Sequence, residues 1–285
     1  MRNITLSDHA ADQAEAAASA RAANYEAKKA KYAHEVGQHN TKSAELRQKS
    51  QTAFRERRWL AWLISFLPRM GHAMKSAPPP PIMAAAAGRD EIVWNAGNDG
   101  ERRVADILST RFSDDWTLIS GYCNPGGEID KLLVGPEGIM AIEIKFINGR
   151  IFCDGDRWWR DKYDRYGNLV ESDLTIADKK GRGPSMQVNA STDRLQAFLN
   201  QRMPAPRIAR AVIFSHDSSE IGGIDNPTVD LIAKAESLSP DTVRKCLPNA
   251  PIDPLQVIEW IQKDHAFHAR PREKNRPQKT GRRQS

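Results

Sequence analysis

Apolar and polar residues alternate with a period of two from Glu128 to Phe146, EIDKLLVGPEGIMAIEIKF, on either side of Gly135-Pro136-Glu137-Gly138. Alternation around a cluster of turn formers predicts a tight β-hairpin. Setting Val134 against Ile139 gives a register that places Leu132 opposite Ala141 and Asp130 opposite Glu143, with Lys145 projecting from the same face. The other face, Ile129, Leu133, Met140, Ile142, Ile144 and Phe146, is expected to bury against helices.

The pattern elsewhere predicts the remaining elements. Ser7 to Arg58 is rich in helix formers but poor in large apolar residues and has no sustained heptad, so it reads as a partly solvated helical arm interrupted near Gly37 and Asn40. Its spacing leaves self-association through a helix-helix contact open. Trp59 to Leu67, WLAWLISFL, is the most apolar run and is flanked by Arg55, Arg57, Arg58 and Arg69. Nine residues are too few to cross a bilayer, which takes about 20 in a helix. A docking segment against the rest of the chain or another subunit is the favoured reading, with peripheral membrane contact through 59-67 as the alternative.

A proline run at 77-81 marks a spacer. From Asn98 the period turns helical, and Val104, Ala105, Leu108 and Phe112 fall on the face of Glu101. Trp116 to Ser120 predicts a strand, Arg150 to Cys153 a returning strand, and 161-183 a polar, mobile loop. Met186 to Gln201 predicts a helix with Gln187 in its first turn. Arg210 to Ser215 and Val229 to Ala233 predict strands, and Pro240 to Cys246 and Pro254 to Ile261 two short helices. The order predicts a mixed-sheet α/β core with flanking helices. The organisation is a basic helical region 1-76, a linker 77-88, a core domain 89-262, and a charged tail 263-285 expected to be disordered, His265 and His268 included.

Composition adds a charge asymmetry. Residues 1-76 carry 13 basic against 7 acidic side chains, 77-262 carry 21 against 27, and 263-285 carry 8 against 2. Basic ends suit nucleic acid or an anionic surface. Three dispersed cysteines give no disulfide framework or zinc knuckle and suit a reducing cytoplasm, and the first residues lack the pattern of a secretory signal.

Chemistry enters through the opposed acids. Two carboxylates about 5 Å apart repel by about 3 kcal/mol at an effective dielectric near 20. A hard divalent cation offsets this; so does solvation of an ordinary surface hairpin in which Lys145 balances Glu128. Asp130 followed by Glu143-Ile144-Lys145 resembles the PD-(D/E)XK nuclease motif. Together with Gly97-Asn98-Asp99-Gly100-Glu101, Glu128-Ile129-Asp130, Gly138 to Lys145 and Pro184-Ser185-Met186-Gln187, it resembles the nuclease-related domain, NERD, over roughly Ala96 to Ser215.

The resemblance implies a restriction-endonuclease-like core and metal-dependent hydrolysis of DNA phosphodiesters. It implies a magnesium or manganese ion held by Asp130, Glu143, the Ile144 main-chain carbonyl and Glu101, with Lys145 and Gln187 completing the catalytic set. Arg157, Trp158, Trp159 and Arg160 interleave aromatic and basic character, and Lys179, Lys180 and Arg182 form a basic run; both are candidate nucleic-acid contacts. A DNA-binding scaffold that cuts poorly and a membrane-peripheral regulator are the competing functional classes.

Overall fold

The computed structural model describes residues 1-7, 9-75, 77-81, 89-248 and 250-269. The chain divides into two compact units, Asp12–Val93 and Met1–Ala11 with Trp94–Ser285.

The first unit is a helical hairpin. Helix α1, His9–Arg55, runs uninterrupted through Gly37 and Asn40, where the sequence predicts a break. A glycine costs a helix only about 1 kcal/mol relative to alanine. The flanking run of Ala, Lys and Glu, with pairs such as Lys31–Glu35, offsets that. Helix α2, Trp59–Ala73, turns back on α1: Phe54 meets Trp62 with ring centroids 6.3 Å apart, and His39 meets His72 at 4.4 Å.

The second unit is mixed α/β. After β1 (Arg2–Thr5) it runs α3 (Arg89–Arg111), β2 (Thr117–Asn124), β3 (Gly127–Gly135), β4 (Gly138–Lys145), β5 (Gly149–Asp154), β6 (Arg157–Tyr163), β7 (Leu169–Thr175), α4 (Pro184–Asn200), β8 (Ala209–Phe214), β9 (Ser219–Asp225), β10 (Leu231–Lys234), α5 (Pro240–Cys246) and α6 (Pro254–His268). A six-stranded sheet has the order β1-β2-β3-β4-β8-β10 and a four-stranded sheet the order β7-β6-β5-β9. The β2-β3-β4 meander is antiparallel, while β1, β8 and β10 add in parallel.

One face of the large sheet, with Leu132, Val134, Ile139, Ala141 and Val212, packs on Val188, Leu195 and Leu199 of α4 and Val257 and Ile261 of α6. The opposite face, with Leu118, Leu133, Met140, Ile142 and Ile213, packs on Val104, Leu108 and Phe112 of α3 and Val243 of α5. Each such side chain contributes roughly 1.5–3 kcal/mol on full burial.

The predicted hairpin forms in its predicted register, Val134 against Ile139 and Leu132 against Ala141. One face assignment changes. Ile129 lies with Leu132 and not, as expected, with Leu133, because the side-chain alternation breaks at Gly121 and Asp130. The β2-β3 ladder pairs Ser120 with Lys131 and Tyr122 with Ile129 but leaves Gly121 and Asp130 unpaired between them. Gly121 sits at φ 68°, and a Cβ there would come 2.0 Å from the Ser7 carbonyl oxygen, so only glycine fits. That kink takes Asp130 out of the strand ladder.

Other corrections follow from tertiary pairing. Residues 161-183, expected to be a loop, contain the end of β6 and all of β7, whose pairing on β6 the polar sequence conceals. Arg150 to Cys153 forms the expected strand, but as β5 it belongs to the second sheet. His265 and His268 do not belong to a disordered tail. Both lie in α6, where His265 is 8% exposed and its Nδ1 accepts the Cys123 N–H at 3.1 Å, while His268 approaches Asp264 at 3.5 Å. The residues 82-88 of the predicted linker and 270-285 of the predicted tail lie outside the described residues.

Candidate active site

Asp130 is positioned by the kink in β3. Its Oδ2 accepts the backbone N–H of Ile144 at 2.7 Å, so the side chain takes over where strand pairing stops. Successive residues of a strand direct their backbone groups to opposite neighbours. The Lys145 carbonyl accepts from Ser215 N–H, just past β8, so the Ile144 N–H and carbonyl both face the β3 side, toward Asp130.

Glu143 and Lys145 stand on the α4 face of β4. Glu143 is 4% exposed and its Oε1 accepts from Lys145 Nζ at 2.6 Å. Lys145 also donates to Gln187 Oε1 at 3.2 Å, and the Gln187 amide donates to the Arg182 carbonyl at 2.9 Å. Pro184 sits in the first turn of α4, where its missing N–H is not needed, which starts the helix in time to bring Gln187 over the sheet. The helix start is tied down by Ser185, which donates to Asp156 Oδ1 at 2.6 Å and accepts from the Trp158 indole at 2.9 Å. Asp130, Glu143, Lys145 and Gln187 are thus brought to one place.

Glu101 has a different setting. The sequence predicts it in the first turn of a helix, but α3 begins at Arg89, so Glu101 is about three turns inside and the helix dipole no longer accounts for it. Its Oε2 accepts from Lys131 Nζ at 2.5 Å. Lys131 is 5% exposed, and sequence reasoning misses it. The signal is present: a lysine at the position between Ile129 and Leu133 interrupts an otherwise apolar stripe, and a buried ammonium requires a carboxylate.

The electrostatics show that the acids are crowded. Burial pushes the Asp130 carboxyl well above the usual carboxylate range, and the charges of Glu143 and then Glu101 push it further; Lys145 and the Ile144 N–H only partly oppose this. Glu143 is raised by burial and, more weakly, by Glu101, against the pull of Lys145. Burial works against the Lys145 ammonium, yet Glu143 and Asp130 outweigh it and raise its pKa. The site therefore carries more negative charge than its lysine neutralises. Its donors are carboxylate and carbonyl oxygens, the set that hard divalent ions prefer. Among the described residues no three His, Cys, Asp or Glu side chains converge to hold a metal. A magnesium ion does not require that, since it commonly takes one or two carboxylates and keeps its remaining positions for water and phosphate.

The candidate nucleic-acid contacts divide. Trp158 is 1% exposed and belongs to the core beside Phe214, so as placed it has no free ring face. Arg160 spends its guanidinium on the Asn148 carbonyl and side chain at 2.8 and 2.6 Å. Trp159 projects from the opposite face of β6 and stacks on Phe152, centroids 5.6 Å apart and planes 9° off parallel, with Arg157 5.0 Å from its centroid. Lys179 and Lys180 are exposed in a turn closed by Asp178, which also accepts from Arg182 Nε at 2.9 Å. Arg182 in turn reaches the Gly126 carbonyl at 3.4 Å.

No curated protein and no solved structure matches the chain. A family comparison does: residues 96–215, which run from α3 to the end of β8 and hold all five of Glu101, Asp130, Glu143, Lys145 and Gln187, match the nuclease-related domain, NERD, a PD-(D/E)XK-like nuclease domain family.

Proposed function

We propose that the α/β unit is a metal-dependent nuclease that hydrolyses phosphodiester bonds of DNA. The observation that carries this reading is the gathering of Asp130, Glu143 and Lys145 at the break in the β2-β3 ladder, with both acids raised by burial. A surface hairpin would leave these groups in water, and a pure binding module gains nothing from acids that repel phosphate.

In this reading Asp130, Glu143 and the Ile144 carbonyl hold magnesium or manganese, while Glu101, bonded to Lys131 at 2.5 Å, adds its charge to the site from outside the metal shell. When bound, such an ion lowers the pKa of a water and polarises the scissile phosphate. The chain supplies the rest. Glu143 holds the Lys145 ammonium at 2.6 Å, beside the two acids and within reach of a phosphate oxygen that gains charge in the transition state. Gln187 fixes the other side of that ammonium and ties it to α4 through the Arg182 carbonyl. The Ile144 N–H keeps one Asp130 oxygen in place.

The test is incubation of the purified chain with a panel of labelled DNA structures, duplex, single strand, junction and flap, with magnesium, manganese or chelator. Cleavage of at least one substrate that requires the divalent ion supports the reading. Binding without cleavage under every condition, with no shift of melting temperature on adding either ion, would move it to a DNA-binding scaffold.

A further inference from the structure

Helix α2 has its amphipathic character turned outward. At 100° per residue, Trp59, Leu60, Leu63, Ile64, Leu67 and Met70 fall within one arc of about 140°, and these six are between 50% and 81% exposed. The other side of the helix is the one chiefly engaged by α1: Trp62 meets Phe54, and the His72 ring nitrogen bonds the His39 carbonyl at 3.1 Å, while at the edge of the arc Trp59 touches the same Phe54 ring, centroids 6.0 Å apart. No residue of α2 is buried. An uncharged apolar arc of this size facing water marks a contact with something apolar.

The charges around the arc select among occupants. From Arg55 to Lys75 the chain has Arg55, Arg57, Arg58, Arg69 and Lys75 against one acid, Glu56, which Arg58 approaches at 3.5 Å. A second copy seated on the arc would bring this basic set against itself, in parallel or antiparallel. A nucleic acid would satisfy the charge but leave the arc in water. An anionic lipid surface satisfies both, with the apolar arc below the headgroups and the arginines at their level. The 15 residues of α2 reach about 22 Å, short of the roughly 30 Å hydrocarbon core. No described helix is long and apolar enough to cross a membrane.

We propose that α2 is an interfacial helix that docks this chain on anionic lipid bilayers, lying in the headgroup plane with Leu60, Leu63, Ile64 and Leu67 inserted and Arg57 and Arg58 on the lipid phosphates. This docking is separate from the nuclease reading and stands or falls without it. It reverses the preference drawn from sequence, in which 59-67 docks on protein, because the helical hairpin itself leaves the arc open.

The full chain is mixed with vesicles of phosphatidylglycerol and phosphatidylcholine, or of phosphatidylcholine alone, and separated by flotation. Binding is expected to the anionic vesicles and at least tenfold less to the neutral ones. Leu63→Asp with Leu67→Asp, at exposed positions, should abolish flotation while helical circular dichroism and melting temperature stay unchanged. Arg57→Gln with Arg58→Gln should weaken binding to anionic vesicles by about thirtyfold, about 1 kcal/mol being carried by each basic residue near such a surface.

Three results would overturn the proposal. One is absence of flotation with anionic vesicles, and another is flotation indifferent to the aspartates. The third is a wild-type dimer, or a raised melting temperature, that the aspartates remove without any vesicle binding. That result would assign the arc to a second copy or to another part of the chain.

Discussion

The two faces of the β3-β4 hairpin each hold a lysine against a glutamate, and the two pairs differ in what surrounds them. On the α3 face Lys131 meets Glu101 beside an apolar layer of Leu133, Met140 and Ile142. On the α4 face Lys145 meets Glu143, with Gln187 and Asp130 completing the group, where strand pairing has ended and a second raised carboxyl has no cation of its own. The first pair balances its own charge, though the Glu101 carboxylate still acts on Asp130 and Glu143. The second has an unbalanced acid, and an unbalanced acid next to a held ammonium is what metal-assisted phosphate chemistry requires. A buried ion pair alone therefore does not mark an active site; what sets the proposed site apart is its excess of negative charge.

The comparison is broken most severely at Asp130. Asp130→Asn is expected to abolish metal-dependent cleavage. Because the folded-state pKa of Asp130 is raised, the native chain holds a proton that the unfolded chain releases, so wild-type stability falls as pH rises from the ordinary carboxylate range through the raised value. The asparagine variant lacks this slope. Its melting temperature in chelator should exceed the wild type's by an amount that grows with pH and then levels off, whereas magnesium should raise the wild type and not the variant. A variant less stable at every pH that still cuts would show that the two acids are not crowded.

Lys145→Ala comes next. Removing the ammonium leaves the buried Glu143 carboxylate without its hydrogen bond, at a cost of roughly 1.5–3 kcal/mol. Melting in chelator should fall accordingly, and magnesium should recover much of the loss by taking the lysine's place as counter-charge. If melting is unchanged, the pair is solvated.

A smaller effect of magnesium is expected on the α3 face. Lys131→Met should destabilise by a similar roughly 1.5–3 kcal/mol, since it strands Glu101, but magnesium should restore little of it. Glu101→Gln on top of Lys131→Met should recover stability, because the stranded charge is then gone. Equal recovery by magnesium in the Lys131 and Lys145 variants would erase the distinction between the faces.

The smallest effect lies at the exposed turn. Lys179→Gln with Lys180→Gln should leave melting unchanged and reduce the slope of log affinity for DNA against log salt by about 0.9 for each phosphate that is no longer neutralised. An unchanged slope removes this turn from the DNA interface.

Much of this is legible in the sequence. The hairpin register, the helix carrying Gln187, and the two short C-terminal helices follow from period and turn chemistry, which are local. What is not legible depends on distant partners. The break of alternation at Asp130 needs Gly121 on the neighbouring strand and Ser7 beyond it. β7 is largely polar and is a strand only because β6 lies next to it. His265 reads as tail because nothing nearby announces Cys123, whose N–H it accepts. Trp158 and Trp159 are adjacent and chemically equal, and only the strand decides which one enters the core.

The central claim, that the α4 face is the chemical site and the α3 face its structural counterpart, is tested most directly by single-turnover cleavage of labelled DNA at saturating magnesium, with Lys145→Ala and Lys131→Met measured side by side. The account predicts a loss of about two to three orders of magnitude for Lys145→Ala, the usual consequence of removing one stabiliser of developing oxyanion charge, and a loss within about tenfold for Lys131→Met. Equal losses in the two variants, or full activity in Lys145→Ala, would contradict it.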